Sequence, residues 1–210
     1  MTFAAGYHAG DFKALGCEFS DRMGERYRRS LNELTSSLSG SGPLTGDGAL
    51  AEWVACPGQL LSTANSPVGA RRAADFGMGM VLSMREPVDR LRRSIDAFRS
   101  AGGDGPVHLT VGVWLGAPSA AAMAAVLGSY DAAAPPGSTR SDRGNPFVFG
   151  SVDEITNVLL GTLDSVGADA ISMRLQALDS PDRMEEQVRR LGAELLPPLR
   201  QHPGLAGDDA

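Results

Sequence analysis

Apolar positions along the chain recur with two periods, and the two alternate. From Ser20 to Leu38, Met23, Tyr27, Leu31 and Leu34 share one helical face while Arg22, Glu25, Arg29 and Glu33 lie elsewhere, which predicts an amphipathic helix. Gln59 to Thr63 predicts a buried strand. Ser66-Pro67 then opens a helix to Phe76, because serine accepts from orphan amides and proline suits the first helical position. Gly77 ends that helix, Met78 to Ser83 is a second apolar strand, and Glu86-Pro87 starts a helix through Arg99 that stops at Gly102-Gly103. Val107 to Leu115 is the next strand and Pro118 to Tyr130 an alanine-rich helix.

Both ends of the chain continue the alternation. Thr2 to Tyr7 reads as a first strand, followed by a loop over His8-Ala9-Gly10-Asp11-Phe12. Ser39 to Pro57 and Ala132 to Pro146 are rich in Gly, Ser, Pro or mixed charge and read as long loops. After Phe147-Val148-Phe149-Gly150, Ser151 and Glu154 have capping-box spacing, and Ile155, Val158, Leu159 and Leu163 share a face up to Gly167. Ala168 to Leu175 is a strand, and Ser180-Pro181 opens a last helix to about Leu196, stopped by Pro197-Pro198. Five strands, each followed by helical sequence, predict an α/β fold with a parallel sheet, since parallel neighbours need a crossover.

Composition changes this picture little. With 210 residues, 42% hydrophobic and 21% charged, the chain suits one globular domain, taken as residues 1–202 with a polar tail over 203–210. A net charge of -6 and arginines spread over several segments argue against nucleic acid as a partner. Two cysteines without metal-ligand spacing, no secretory leader and no apolar run near 20 residues suggest a reduced, cytoplasmic setting away from membranes. No metal site is expected, because His108 lies inside a strand and His202 in the tail, without ligand spacing.

Several segments resemble the luciferase-like monooxygenases, the flavin- or F420-dependent oxidoreductase superfamily, in order and spacing. Gly6-Tyr7-His8-Ala9-Gly10-Asp11-Phe12 through Gly16 is similar to the segment after that family's fourth strand. Leu61-Ser62-Thr63-Ala64-Asn65-Ser66-Pro67 through Ala73-Ala74 and Gly77 resembles its fifth strand–helix pair, and Met80 to Ser83 its sixth strand. Phe149 to Glu154, Gly167-Ala168-Asp169, Met173-Arg174-Leu175-Gln176 and Leu195-Leu196-Pro197 continue the likeness to the C-terminus. The resemblance implies a partial (β/α)8 barrel of the TIM type, lacking the opening three strand–helix pairs, roughly 100 residues by the usual size of such barrels. The missing walls would come from a second copy or a partner chain. On this resemblance the catalytic histidine that luciferases carry would lie in the opening portion, ahead of the matched segments, and a flavin-phosphate arginine of some members would fall at Ala5.

In such barrels the loops after the strands build the site. The resemblance places a flavin phosphate at Asn65, Ser66 and Gly69, where a helix start offers free amides and partial positive charge; a plain Ser-Pro cap is the competing reading. Tyr7 and His8 could face the ring or substrate, His8 as the proton-exchanging group, or stand in an ordinary loop. Ser83, with Arg85 beside it, and Arg174 complete the set, although alternation can turn Arg174 into the barrel or against the helices. Gly102-Gly103-Asp104-Gly105 precedes a strand, so it reads as a turn and not a phosphate loop. The implied activity is oxidation or monooxygenation of a small organic substrate with reduced FMN or F420. The alternative is a descendant that binds flavin, or only keeps the scaffold, without turnover.

Overall fold

The computed structural model describes residues 2–4, 9–14, 16–19, 22–37, 46–48, 60–132, 147–175, 180–203 and 205. The chain divides into two compact units, Met1–Val81 with Arg93–Pro106, and Leu82–Arg92 with Val107–Ala210. Parallel strands alternate with helices in both, so the α/β class expected from the periodicity is borne out.

In the first unit, strands β1 (Thr2–Phe3), β2 (Leu61–Thr63) and the start of β3 (Gly79–Ser83) pair in parallel, with Thr2 opposite Leu61 and Leu61 opposite Gly79. The turn before β4 crowds β3 closely. A Cβ on Gly79 would lie 2.5 Å from the Pro106 carbonyl and 2.7 Å from Leu61, so only glycine fits there. Helix α1 (Ala9–Ala14) replaces the loop expected over His8 to Phe12, a six-residue element too short to show periodicity. Helix α2 (Met23–Ser36) buries Tyr27 and Leu31, and the Tyr27 hydroxyl meets Ser62 Oγ of β2 at 2.9 Å. Helix α3 (Pro67–Asp75) buries Ala70 and Ala73, and Arg28 of α2 reaches Asp75 at 3.0 Å. Helix α4 (Val88–Ser100) ends in this unit, with Phe98 fully buried over Gly103.

The second unit is organised by the nine-residue strand β4 (Val107–Leu115), which pairs with both β5 (Phe147–Gly150) and β6 (Ala170–Arg174). Strand β5 was not expected from the sequence, where its four residues read only as the approach to a helix. Helices α5 (Ala120–Ala132), α6 (Val152–Val166) and α7 (Pro181–Arg190) follow β4, β5 and β6. Val111, Val113 and Leu115 of β4 form one apolar cluster with Ile155, Leu159, Leu191, Leu195 and Leu199. The last helix does not stop at Pro197-Pro198. A π-helical turn over Leu191–Leu195 resets the hydrogen-bonding pattern, and α8 (Leu196–Arg200) begins anew with proline in its first turn, where no amide donor is needed.

Side chains complete both ends of one edge of β4. At its start, Asp169 donates its backbone N–H to the Val107 carbonyl (2.9 Å), and its Oδ2 accepts from the Val107 N–H (2.7 Å). At its end, beyond the last β6 partner, the buried Gln187 amide of α7 accepts from Leu115 N–H at 2.8 Å and donates to Leu115 carbonyl at 3.0 Å. That amide acts as one further strand residue. No helix among the described residues is long and apolar enough to cross a membrane.

Candidate functional site

Three of the expected cofactor residues meet at the start of α3. Strand β2 ends at Thr63, Ala64 is buried, and the chain emerges at the exposed Asn65 and Ser66. Ser66 has extended backbone geometry and caps the helix, its Oγ accepting from Gly69 N–H at 3.2 Å and its carbonyl from Ala70 N–H at 2.8 Å. Gly69 allows this close turn, since a Cβ there would stand 3.3 Å from Ala64 Cα. Pro67 brings no donor, and the first turn holds no acidic side chain. The Ser66 hydroxyl accepts from Gly69 and so keeps its own proton for an outside acceptor, while the Val68 N–H has no intrahelical carbonyl to reach. The serine is therefore a helix cap whose remaining donors suit an anion.

Register decides how Arg174 is turned. Parallel partners share a face, and β6 sets Ala170 beside His108, Ser172 beside Thr110 and Arg174 beside Gly112. Ile171 and Met173, on the other face, pack against the apolar cluster with the helices. Arg174 thus stands on the face away from those helices, exposed, beside Gly112. Met84 donates its N–H to Thr110 carbonyl at 3.0 Å and packs on the apolar cluster, so its neighbour Ser83 belongs to the polar face with Thr110. Ser83 Oγ accepts from Arg85 N–H at 3.4 Å. Ser83 and Arg174 are in this way brought to one polar strip with His108, Thr110 and Ser172. Those last three were not singled out as site residues, although the alternation Val107-His108-Leu109-Thr110-Val111 carries the signal. Burial depresses the pKa of His108, partly opposed by the Asp169 carboxylate.

Tyr7 and His8 lie outside the described residues. Gly102 to Gly105 form the expected turn, with Arg99 Nη1 donating to the carbonyls of Gly103 (3.0 Å) and Gly105 (2.9 Å). A cavity of about 320 Å³ is walled by Phe147, Val148 and Phe149 of β5 with Met84, Val111, Val158 and Thr162. Met84 and Val111 place it on the helix side of β4, away from Ser83 and Arg174. It escaped the sequence reading together with β5. Among the described residues no group of three His, Cys, Asp or Glu side chains is placed to hold a metal.

No protein-family model matches the chain, and no curated protein is significantly similar to it. Solved structures are. The structure of apo-MsnO8 superposes with a TM-score of 0.64 at 20% identity, covering 97% of this chain and 69% of that one. The chain shares the α/β fold of that structure. EDTA monooxygenase (EmoA) from Chelativorans sp. BNC1 follows with a TM-score of 0.59 at 12% identity, covering 98% of this chain and 67% of that one. An F420-dependent secondary alcohol dehydrogenase, in complex with an F420-acetone adduct, gives 0.61 at 10% identity over 92% of this chain and 68% of that one. The resemblance read from the sequence is thus borne out in the fold, and the chain spans about two thirds of each neighbour.

Proposed function

We propose that the chain is a luciferase-like oxidoreductase that uses reduced FMN or F420 on a small organic substrate, with its site completed by a second copy or a partner chain. The start of α3 carries this reading. Residues that the family resemblance assigns to the cofactor phosphate stand exposed around a helix end that keeps donors and lacks acid, which fits a phosphate dianion. The fold neighbours support it, one being a monooxygenase and another an F420-dependent dehydrogenase by name. In this reading Asn65, Ser66 and Gly69 hold the phosphate, Ser83 and Arg174 line the polar strand face, and Arg174 forks onto an anionic group of cofactor or substrate. Tyr7 and His8 belong to the reacting end, where the imidazole holds or moves a proton. The bound cofactor supplies the redox chemistry, and the chain binds, orients and shields it.

The test is an absorbance and fluorescence titration of the purified chain with FMN, reduced FMN and F420, repeated with Ser66→Ala and Asn65→Ala. Saturable binding weakened roughly fivefold to tenfold by Ser66→Ala is expected, the loss of one charge-assisted hydrogen bond. Binding indifferent to both substitutions, or none by the folded chain at any oligomeric state, would overturn the assignment. Tight binding without turnover of any substrate would favour the non-catalytic alternative.

A further inference from the structure

A second cavity in the first unit, about 290 Å³, is lined by Arg22, Gly24, Glu25, Arg28 and Arg72. We infer that it is a binding site for a small phosphate-bearing anion, distinct from the cofactor-phosphate position at Ser66. The cations reach it from two helices. Arg72, in the last turn of α3, lies over the Tyr27 ring at 5.6 Å, and its Nη2 comes within 3.0 Å of where a Gly24 Cβ would stand, so the glycine makes room for the guanidinium. Arg72 Nε is shut off from solvent and has no hydrogen-bond partner among the described residues. That atom is closed to a ligand as well as to solvent, so the donor offered beside the cavity-lining Gly24 is the outer Nη2 of the same guanidinium. Arg28 is held by one bond to Asp75 (3.0 Å), and its fork carries further donors. Arg22 is the N-cap of α2 and makes no side-chain cap, and the first-turn Glu25 offsets the positive end of that helix, so the cavity's positive charge comes from the arginines.

Charge and size select the ligand. Three guanidinium groups stand against Glu25 and the Asp75 paired to Arg28, leaving an excess of one positive charge. Arginine forks match the oxygens of phosphate. The volume lies at the lower end for small-molecule sites, which fits inorganic phosphate or a small phosphorylated metabolite rather than a dinucleotide. Glu25 can accept from the P–OH of hydrogen phosphate, which sulfate lacks. Arg72 and Ser66 are six residues apart, about 9 Å along α3, so one phosphate does not serve both.

Calorimetric titration of the full chain with inorganic phosphate, and with sulfate at matched ionic strength, tests the inference without any flavin. Saturable phosphate binding tighter than sulfate is expected. Arg72→Gln weakens it about tenfold and Arg22→Gln, at an exposed position that the fold tolerates, by a few-fold. Asp75→Asn tightens it by freeing Arg28. Phosphate held at the α3 start would add a second isotherm that Ser66→Ala removes, whereas the isotherm weakened by Arg72→Gln is unchanged by Ser66→Ala. Absence of saturable binding to the folded chain, equal binding of sulfate, or indifference to both arginine substitutions overturns the site. Loss of all binding with Ser66→Ala instead would put the phosphate at the α3 start and likewise overturn it, while supporting the cofactor assignment.

Discussion

Residues 60–75 and residues 147–166 are built alike, each running from a short strand through a serine cap into a helix, but they dispose of the helix end in opposite ways. Ser151 Oγ accepts from Glu154 N–H at 3.3 Å, and Glu154 Oε2 accepts from both the Ser151 N–H and its hydroxyl at 2.8 Å, with Asp153 beside it in the first turn. The α6 dipole is answered by the chain's own carboxylates. Ser66 makes the same first bond, but the third helical position is Gly69 and the first turn contains no acid. Two first-turn positions, Asp153 and Glu154 against Val68 and Gly69, thus separate a helix end closed on itself from one without a carboxylate.

The contrast extends to the strands. In the second unit β4 is finished at both ends by side chains, Asp169 and Gln187, whereas no such closure is seen on β2 among the described residues. Removing one of those closures has the largest expected effect. Gln187→Leu would leave the buried Leu115 N–H and carbonyl without partners, costing about 3 kcal/mol as two unmet backbone groups, measured by urea unfolding. Gln187→Glu should cost less only under acid conditions, where the protonated carboxyl can both accept from the N–H and donate to the carbonyl. A Leu variant as stable as the wild type would mean that the amide is dispensable.

Next in size is Ser66→Asp. Aspartate caps as well as serine, so stability should hold within about 0.5 kcal/mol, while a negative charge at the proposed phosphate position should lower cofactor affinity more than tenfold. The same change at Ser151 should leave affinity untouched. Equal affinity in wild type and Ser66→Asp would show that the open helix end is only a cap. Ser151→Ala completes the set with a stability loss of about 1 kcal/mol and no change in binding, read from thermal melts and the flavin titration.

These tests also mark how far local pattern reaches. The α6 start was legible because Ser151 and Glu154 are three residues apart, and β4 because nine consecutive residues are apolar or alternating. Strand β5 was not, since Phe147 to Gly150 become a strand only by pairing with Gly112 to Leu115, distant in sequence. Likewise Gln187 lies 72 residues from the backbone it completes, and nothing near it announces the role. Pro197-Pro198 misled because a proline reads as a stop unless the π turn before it is known. Within the candidate site, Ser66 was visible as a cap and its openness followed from Val68 and Gly69. The face occupied by Arg174 needed the register with Gly112, and the cavity at Arg72 needed two helices brought side by side.

The smallest effect concerns acid. Hydrogen bonds from the Ser151 N–H and then from its hydroxyl hold the Glu154 carboxyl below its usual range. A group whose pKa is lower folded than unfolded stabilises the fold above the unfolded value, about 4.3 for glutamate, and loses that contribution as pH falls through the folded value. The wild-type melting temperature should therefore drop more steeply between about pH 4.5 and 3 than that of Glu154→Gln, whose amide oxygen can still accept from Ser151 without titrating. The two curves should converge at the acid end, where the wild-type carboxyl is neutral as well. The α3 start has no such carboxylate in its first turn, so Ser66→Ala should shift the curve without changing its slope in this window. Parallel curves for wild type and Glu154→Gln would mean that the box at α6 is not closed by charge, and the contrast between the two helix starts would then rest on geometry alone.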